Sequence, residues 1–150
     1  MTNNWNVDVV GCTHGRTPWA ACVAMLLNHR DSRSLTDGDV AVESGVERHG
    51  DGSVASDYDV SSILDHYLLN VQNYMAPNPR EWDELLSPGP VIVSALDRAV
   101  VVGAVGDIED PQDCQLHVLD PLSGANWVPY RELGDRFGFH AGTELRIVQP

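Results

Sequence analysis

The chain has 150 residues, 43% of them hydrophobic and 21% charged, so it can bury a substantial core and is neither disordered nor fibrous. Its 22 acidic and nine basic residues give a formal net charge of -13, and every basic residue is an arginine. Nucleic acids and anionic membranes are therefore poor partners, because binding them needs clustered cations. We predict a single domain over residues 1–150.

No segment is typical of export or membrane insertion. Residues 1–10 lack the basic start and apolar run of a signal peptide, and no apolar stretch reaches ~18 residues. Cys12, Cys22 and Cys114 are too few and too scattered for a disulfide framework or a zinc site. We expect a reduced, cytoplasmic protein without cofactor or metal; export by a signal-less route is the alternative.

Helical patterns dominate the first half of the chain. Thr17 and Pro18 suit an N-cap and a first helical position, and apolar residues then recur at helical spacing. A capping-box pattern begins a later helix at Asn78. A loop rich in Gly, Asp and Ser separates these regions over residues 48–57. Four helices are predicted: residues 18–30, 36–43, from 59 to about 68, and 79–86.

After residues 87–90 the chain changes to β-branched runs that are typical of strands. A short helical turn is predicted over residues 129–133. Strands are predicted over residues 71–75, 91–96, 99–105, 115–120 and 145–148. The order predicts an α+β domain in which N-terminal helices pack on a C-terminal antiparallel sheet.

Three local motifs resemble those of papain-like cysteine peptidases, in the bacterial branch typified by bacteriocin-leader peptidases. In that family a Cys opens the first long helix before Trp-Ala-Ala; the matching stretch in this chain is PWAACVAML from Pro18. The family's Gly-His-Ala-Val-Val-Val strand matches DRAVVVG from Asp97. The third motif is HVLDP from His117, followed by Gly124, Trp127 and a Tyr-x-x-Leu turn from Tyr130. The resemblance covers residues 9–148 and implies a papain-like fold.

At most of the family's catalytic positions, this chain has a different residue. The nucleophile position holds Pro18, the general-base position holds Arg98, and the oxyanion-hole Gln position falls near Cys12; the orienting acid is kept as Asp120. A thiol–imidazole mechanism needs a thiolate, a base and an oxyanion donor, and a guanidinium does not accept a proton. We interpret the chain as a pseudoenzyme with no catalytic residues. Trp19, Arg98 and Asp120 would line the relic cleft, meaning the region of the former catalytic positions, and Arg98 and Asp120 would form an ion pair there.

Other candidate nucleophiles and bases are weaker. Cys22 lies on the apolar stripe of the first helix and is expected to be a buried, inert thiol. Cys114 lies in an acidic turn that opposes thiolate formation. His117 and Asp120 are three residues apart on one strand, so their side chains should leave opposite faces. Cys12, just before the first helix and two residues from His14, is the alternative nucleophile.

The acidic segment over residues 31–65 is interpreted as a solvated face or, alternatively, as a docking face for a basic partner. Its acids, and those over residues 107–113, do not match a calcium-binding loop. The leading hypothesis is a non-catalytic domain that binds a protein or peptide with a basic surface, either as an immunity or antitoxin-type protein or as a chaperone-like regulator. An active cysteine peptidase or acyl-transfer enzyme that uses Cys12 is the alternative, and a structural subunit of a larger assembly is a third.

Overall fold

The computed structural model describes residues 3–12, 18–44, 57–95, 98–140 and 143–150. Along the chain, the helices and strands are α1 (Pro18–Asp31), α2 (Asp37–Glu43), α3 (Asp57–His66), β1 (Asn70–Met75), α4 (Pro79–Leu85), β2 (Val91–Ala95), β3 (Arg98–Gly106), β4 (Gln115–Asp120), β5 (Gly124–Pro129), a 3-10 turn (Tyr130–Glu132), α5 (Leu133–Phe137) and β6 (Glu144–Gln149).

The six strands form one antiparallel sheet in the order β1-β6-β2-β3-β4-β5. The predicted α+β class and the antiparallel sheet are confirmed. Strand β5 was missed, because Gly124, Asn126 and Pro129 are weak strand formers and pairing with β4 decides their conformation. The helical turn predicted over residues 129–133 is confirmed as the 3-10 turn, but the prediction was too short, since this turn leads into α5, which ends at a left-handed Gly138 (φ 76°).

Helices cover both faces of the sheet. The first core lies between α1, α2 and α3 and one face, and it includes Leu26, Ile63 and Val101. The second core lies between α4 and α5 and the opposite face, and it includes Trp82 and Val102. Every residue of β2 is buried, as expected for a strand with both faces covered. The prediction of helices packed on the sheet is right for the N-terminal helices, but it did not include a second helical layer.

Local sequence signals place the helix starts. Asn78 forms the predicted capping box at α4, and Thr36, which was expected only to precede a short helix, forms a second one at α2. Helix α1 begins at Pro18. The predicted Thr17 cap, and the predicted loop over most of residues 48–57, lie outside the described residues. Helix α1 is more deeply buried than the predicted apolar stripe indicates, because residues 20–27 are all buried. It is therefore a central helix.

The N-terminal segment, residues 3–12, runs across the sheet from β3 to the end of β4. The N–H of Trp5 donates to the carbonyl of Gly103 (2.9 Å), and the N–H of Cys12 donates to the carbonyl of Pro121 (3.1 Å). A Cβ on Gly103 would lie 3.4 Å from the carbonyl oxygen of Trp5, so this crossing favours a glycine. The segment therefore brings Cys12 beside the turn that follows Asp120.

Candidate functional site

Arg98 and Asp120, which the resemblance equates with the base and the orienting acid, meet at one end of the sheet. Because neighbouring strands are antiparallel, the start of β3 at Arg98 lies beside the end of β4 at Asp120. Helix α1, which begins at Pro18, packs on the other face of the sheet, since its residues belong to the first core whereas Arg98 stacks on Phe137 of the second.

Arg98 and Asp120 form the predicted ion pair. Nη2 of Arg98 donates to Oδ2 of Asp120 at 2.9 Å. The Asp120 side chain is 5% exposed and that of Arg98 is 42% exposed. The guanidinium carbon lies 5.1 Å from the ring centroid of Phe137, so the cation also stacks on α5.

Asp120 has a second, structural role. Its Oδ1 accepts the N–H of Leu122 at 2.9 Å, which closes the turn between β4 and β5. Gly124, at φ 94°, completes that turn in a conformation that favours glycine. The buried Asp120 carboxylate therefore closes the turn with one oxygen and pairs with Arg98 through the other.

A cavity of about 240 Å³ adjoins the ion pair, bordered by residues that include Arg98, Asp120, Asn126, Arg136 and Phe137. Nε of Arg98 is buried and has no hydrogen-bond partner among the described residues. A guanidinium carries only donors and stays protonated in proteins. The side chain at the general-base position can bind an anion, but it cannot accept the proton of a thiol.

Trp19 does not share this cavity. It borders a separate depression of about 290 Å³, together with Asn73, Ser94, Glu144 and Arg146. The guanidinium of Arg146 lies 5.9 Å from the Trp19 ring centroid. The predicted grouping of Trp19 with Arg98 and Asp120 is therefore wrong. Trp19 borders one face of the sheet, whereas the Arg98 and Asp120 side chains project from the other face, because side chains along a strand alternate between the two faces. Sequence analysis missed Arg146 and its neighbours, which meet only through the register of β1, β6 and β2.

Two of the three thiols are buried. Burial, followed by negative charge on Cys12 and Asp120, raises the pKa of Cys22 well above its ordinary value. Burial and the charge of Asp107 raise the pKa of Cys114 to about 11. The burial predicted for Cys22 is confirmed, and for Cys114, where only the acidic turn was considered, burial adds to the effect of Asp107. Cys12 is half-buried.

His117 stacks on Trp127 of β5, with ring centroids 5.1 Å apart and an interplanar angle of 28°. Burial lowers its pKa. It therefore packs along β4 and β5, while Asp120 is occupied by Arg98, as the predicted opposite faces require. His14 lies outside the described residues.

The acidic segments serve structural roles where they are described. Asp37 is buried, which corrects the expectation of a uniformly solvated face. Glu43 pairs with Arg33 and accepts from the hydroxyl of Tyr67 at 3.1 Å. Among the described residues, no three His, Cys, Asp or Glu side chains converge as a metal site. No helix in the same part of the chain is long and apolar enough to cross a membrane.

No protein-family model and no curated protein matches this chain. Solved structures do. A double glycine motif protease from an AMS/PCAT transporter, in complex with its leader peptide, is 22% identical with a TM-score of 0.64, covering 99% of this chain and 94% of that one. The peptidase domain of Streptococcus ComA, a bifunctional ABC transporter, is 15% identical with a TM-score of 0.64, covering 97% and 99%. A putative C39-like peptidase from Bacillus anthracis is 12% identical with a TM-score of 0.56, covering 97% and 98%.

These neighbours have the fold that the sequence motifs implied. At these identities the likeness is one of fold. The chain therefore has the papain-like fold of C39-like peptidase domains.

Proposed function

We propose that this protein is a non-catalytic papain-like domain that acts by binding a protein or peptide. The observation that carries the proposal is the ion pair at the former general-base position, where Arg98 lies 2.9 Å from Asp120. Nucleophilic catalysis by a thiol needs an adjacent group that takes its proton. A guanidinium paired with a buried carboxylate does not supply that step.

The former nucleophile position supports the same proposal. Pro18 opens α1, and its ring nitrogen is part of the peptide bond, so the side chain offers no attacking atom. Cys22, one helical turn further on, is fully buried with a raised pKa. The fold is kept at this end of the sheet while the residues that would perform the chemistry are replaced.

A peptide or protein with a basic surface is the partner we propose. The double glycine motif protease of the same fold was solved with a leader peptide bound, which supports an extended peptide as a ligand of this scaffold. The net charge of -13 favours a basic partner, and such complementarity accelerates association. We place this binding in the cytoplasm, where cysteines stay reduced.

Two classes of partner are compatible with this proposal, and the dependence of binding on salt concentration distinguishes them. An immunity or antitoxin-type protein docking on a basic toxin should associate quickly and lose affinity steeply at high salt. A chaperone-like regulator should instead bind through the relic cleft with weaker salt dependence. Affinity capture from the native cell at low and high salt, followed by quantitative mass spectrometry, distinguishes these behaviours.

An active cysteine enzyme is the second candidate function, and the position of Cys12 is the observation that favours it. The N–H of Cys12 donates to the carbonyl of Pro121, so a half-buried thiol lies beside the Asp120 turn. Selective iodoacetamide labelling of the native protein tests this, with Cys12→Ser as the control. We expect Cys12 to react no faster than the thiol of a short unstructured peptide. Rapid, selective alkylation near neutral pH would overturn the non-catalytic proposal.

A further inference from the structure

The depression beside Trp19 contains a cation, Arg146, that forms no ion pair within the described residues. Seven arginines lie in the described residues, and five of them pair with a carboxylate. The two that do not, within the same residues, are the exposed Arg131 and the half-buried Arg146. In a chain with 22 acids, an unneutralised arginine in a recess is unusual and points to an anion from outside.

The surroundings of Arg146 form a row of hydrogen-bonding groups. In the register of the sheet, Arg146 of β6 lies opposite Asn73 of β1 on one side and Ser94 of β2 on the other. Directly opposed residues project to one face, so the three side chains stand together; we call them the polar row. Within the described residues, the Asn73 amide and the Ser94 hydroxyl make no side-chain hydrogen bond.

The polar row lies where the helical layer meets the sheet. Val148 and Ile92, two residues from Arg146 and Ser94, belong to the first core, so the row continues that face to its open end. Trp19 of α1 forms the opposite wall, with its ring 5.9 Å from the Arg146 guanidinium. Stacking on an indole orients the guanidinium and leaves its N–H edges available to a planar anion.

We propose that the polar row binds a single carboxylate of an extended peptide, either its C-terminal α-carboxylate or an Asp or Glu side chain. The fork of Arg146 matches a carboxylate with two parallel hydrogen bonds, and the Ser94 hydroxyl and Asn73 amide add donors beside it. The recess of about 290 Å³ admits a carboxylate and a few neighbouring peptide atoms. Glu144 also borders it and disfavours a second negative charge, which fits a partner that is basic elsewhere. This inference rests on the proposed binding function and names the chemistry that the recess beside Trp19 recognises.

Three short peptides test the proposal on the full chain: N-acetyl-trialanine with a free carboxylate, the same peptide as a C-terminal amide, and an amide in which the central residue is Asp. The readout is the NMR shift of the Arg146 Nε–H and Trp19 indole N–H signals during titration. At least one carboxylate peptide should bind about tenfold or more tightly than the all-alanine amide, since charge-assisted pairs are the strong ones. The free acid and the Asp amide distinguish the two sources of the carboxylate.

Variants separate the site from a general charge effect. Arg146→Ala should abolish the preference for carboxylate, and Arg146→Gln, which keeps much of the side chain, should do the same if the alanine variant folds poorly. Arg131→Ala removes the same charge from the other unpaired arginine and should bind as the wild type does. Arg146→Lys should bind several-fold more weakly than the wild type, because an ammonium lacks the fork.

Equal binding of acid and amide, equal loss in Arg131→Ala, or no saturable shift with any of the three peptides would overturn the proposal. Its failure is distinguishable from failure of the proposed function. A cellular partner captured equally by the wild type and by Arg146→Ala would leave the binding function standing and the carboxylate site refuted. A reactive Cys12 would refute the non-catalytic role, while the peptide titration would still decide the carboxylate site.

Discussion

Arg98 and Arg146 lie at the same end of the sheet, and each guanidinium stacks on an aromatic ring. Arg98 lies 5.1 Å from the centroid of Phe137 and Arg146 lies 5.9 Å from that of Trp19. They differ in counter-charge. Asp120 neutralises Arg98 at 2.9 Å, whereas Arg146 has no carboxylate partner in the described residues.

The difference indicates two uses of one residue type. A guanidinium that is paired with a buried carboxylate has its charge neutralised inside the protein, so it contributes to stability and specificity of the fold. A guanidinium held in place only by an aromatic ring keeps its donors for a ligand. Under the proposed function, the neutralised Arg98 would be a relic of the general-base position, and Arg146 on the opposite face of the same sheet would recognise the ligand.

The largest expected difference between the two arginines is in stability. Arg98→Ala should lower the free energy of unfolding by about 2 kcal/mol, because it leaves the buried Asp120 carboxylate without its cation. Arg146→Ala should lower it by less than about 0.5 kcal/mol, because no buried partner is left unpaired. Urea unfolding of both variants beside the wild type measures this.

The comparison would fail if Arg98→Ala and Arg146→Ala lowered the free energy of unfolding by the same amount. Arg136→Ala is a suitable control, since Arg136 also borders the Arg98 cavity but pairs with the more exposed Glu132 across one helical turn. Such a surface pair contributes only a few tenths of a kcal/mol, about as much as we expect for Arg146.

A smaller effect separates the two roles of Asp120. Asp120→Asn keeps an oxygen that accepts the N–H of Leu122 and removes the charge that pairs with Arg98. We expect a loss of about 1 kcal/mol, less than for Asp120→Ala, which removes the turn bond as well. Combining Asp120→Asn with Arg98→Ala should give a coupling free energy of about 1 kcal/mol in a double-mutant cycle. A coupling near zero would mean that the turn alone fixes Asp120.

The parts of this fold that sequence analysis predicted are those with local causes. The capping box at Asn78 needs only residues three positions apart, and it occurs where it was expected; the short helix predicted after Thr36 is also present. The Arg98–Asp120 pair was predicted because the family motifs place those positions together. Strand β5 was missed because its residues have little strand preference of their own, and neighbouring β4 imposes their pairing.

The parts that were missed depend on contacts between distant segments. Asn73 and Arg146 are more than 70 residues apart in the sequence, and only the register of β1 against β6 brings them together. Trp19 was assigned to the wrong recess because a sequence does not reveal which face of the sheet a neighbouring helix residue borders. The counter-charge of each arginine, on which the functional argument depends, is likewise a property of the assembled sheet.

The smallest expected effect is a pH dependence of the free energy of unfolding, which comes from His117 and bears on the pH at which the two arginine variants are compared. Burial lowers the pKa of His117, three residues before Asp120, so below about pH 6.5 the unfolded chain binds a proton more readily than the folded one. Stability linked to neutral His117 is thus fully present above that pH and is lost as the pH falls. Since water screens this half-buried ring, the loss between about pH 7.5 and about pH 5.5 should stay below about 0.5 kcal/mol.

His117→Gln should remove this part of the pH dependence, measured as the change in unfolding free energy between the two pH values rather than as its absolute size. The substitution also removes the stacking on Trp127, which lowers stability at both pH values alike. If His117→Gln keeps the wild-type difference between the two pH values, protonation of His117 does not contribute, and the Arg98 and Arg146 variants can be compared at either pH without correction.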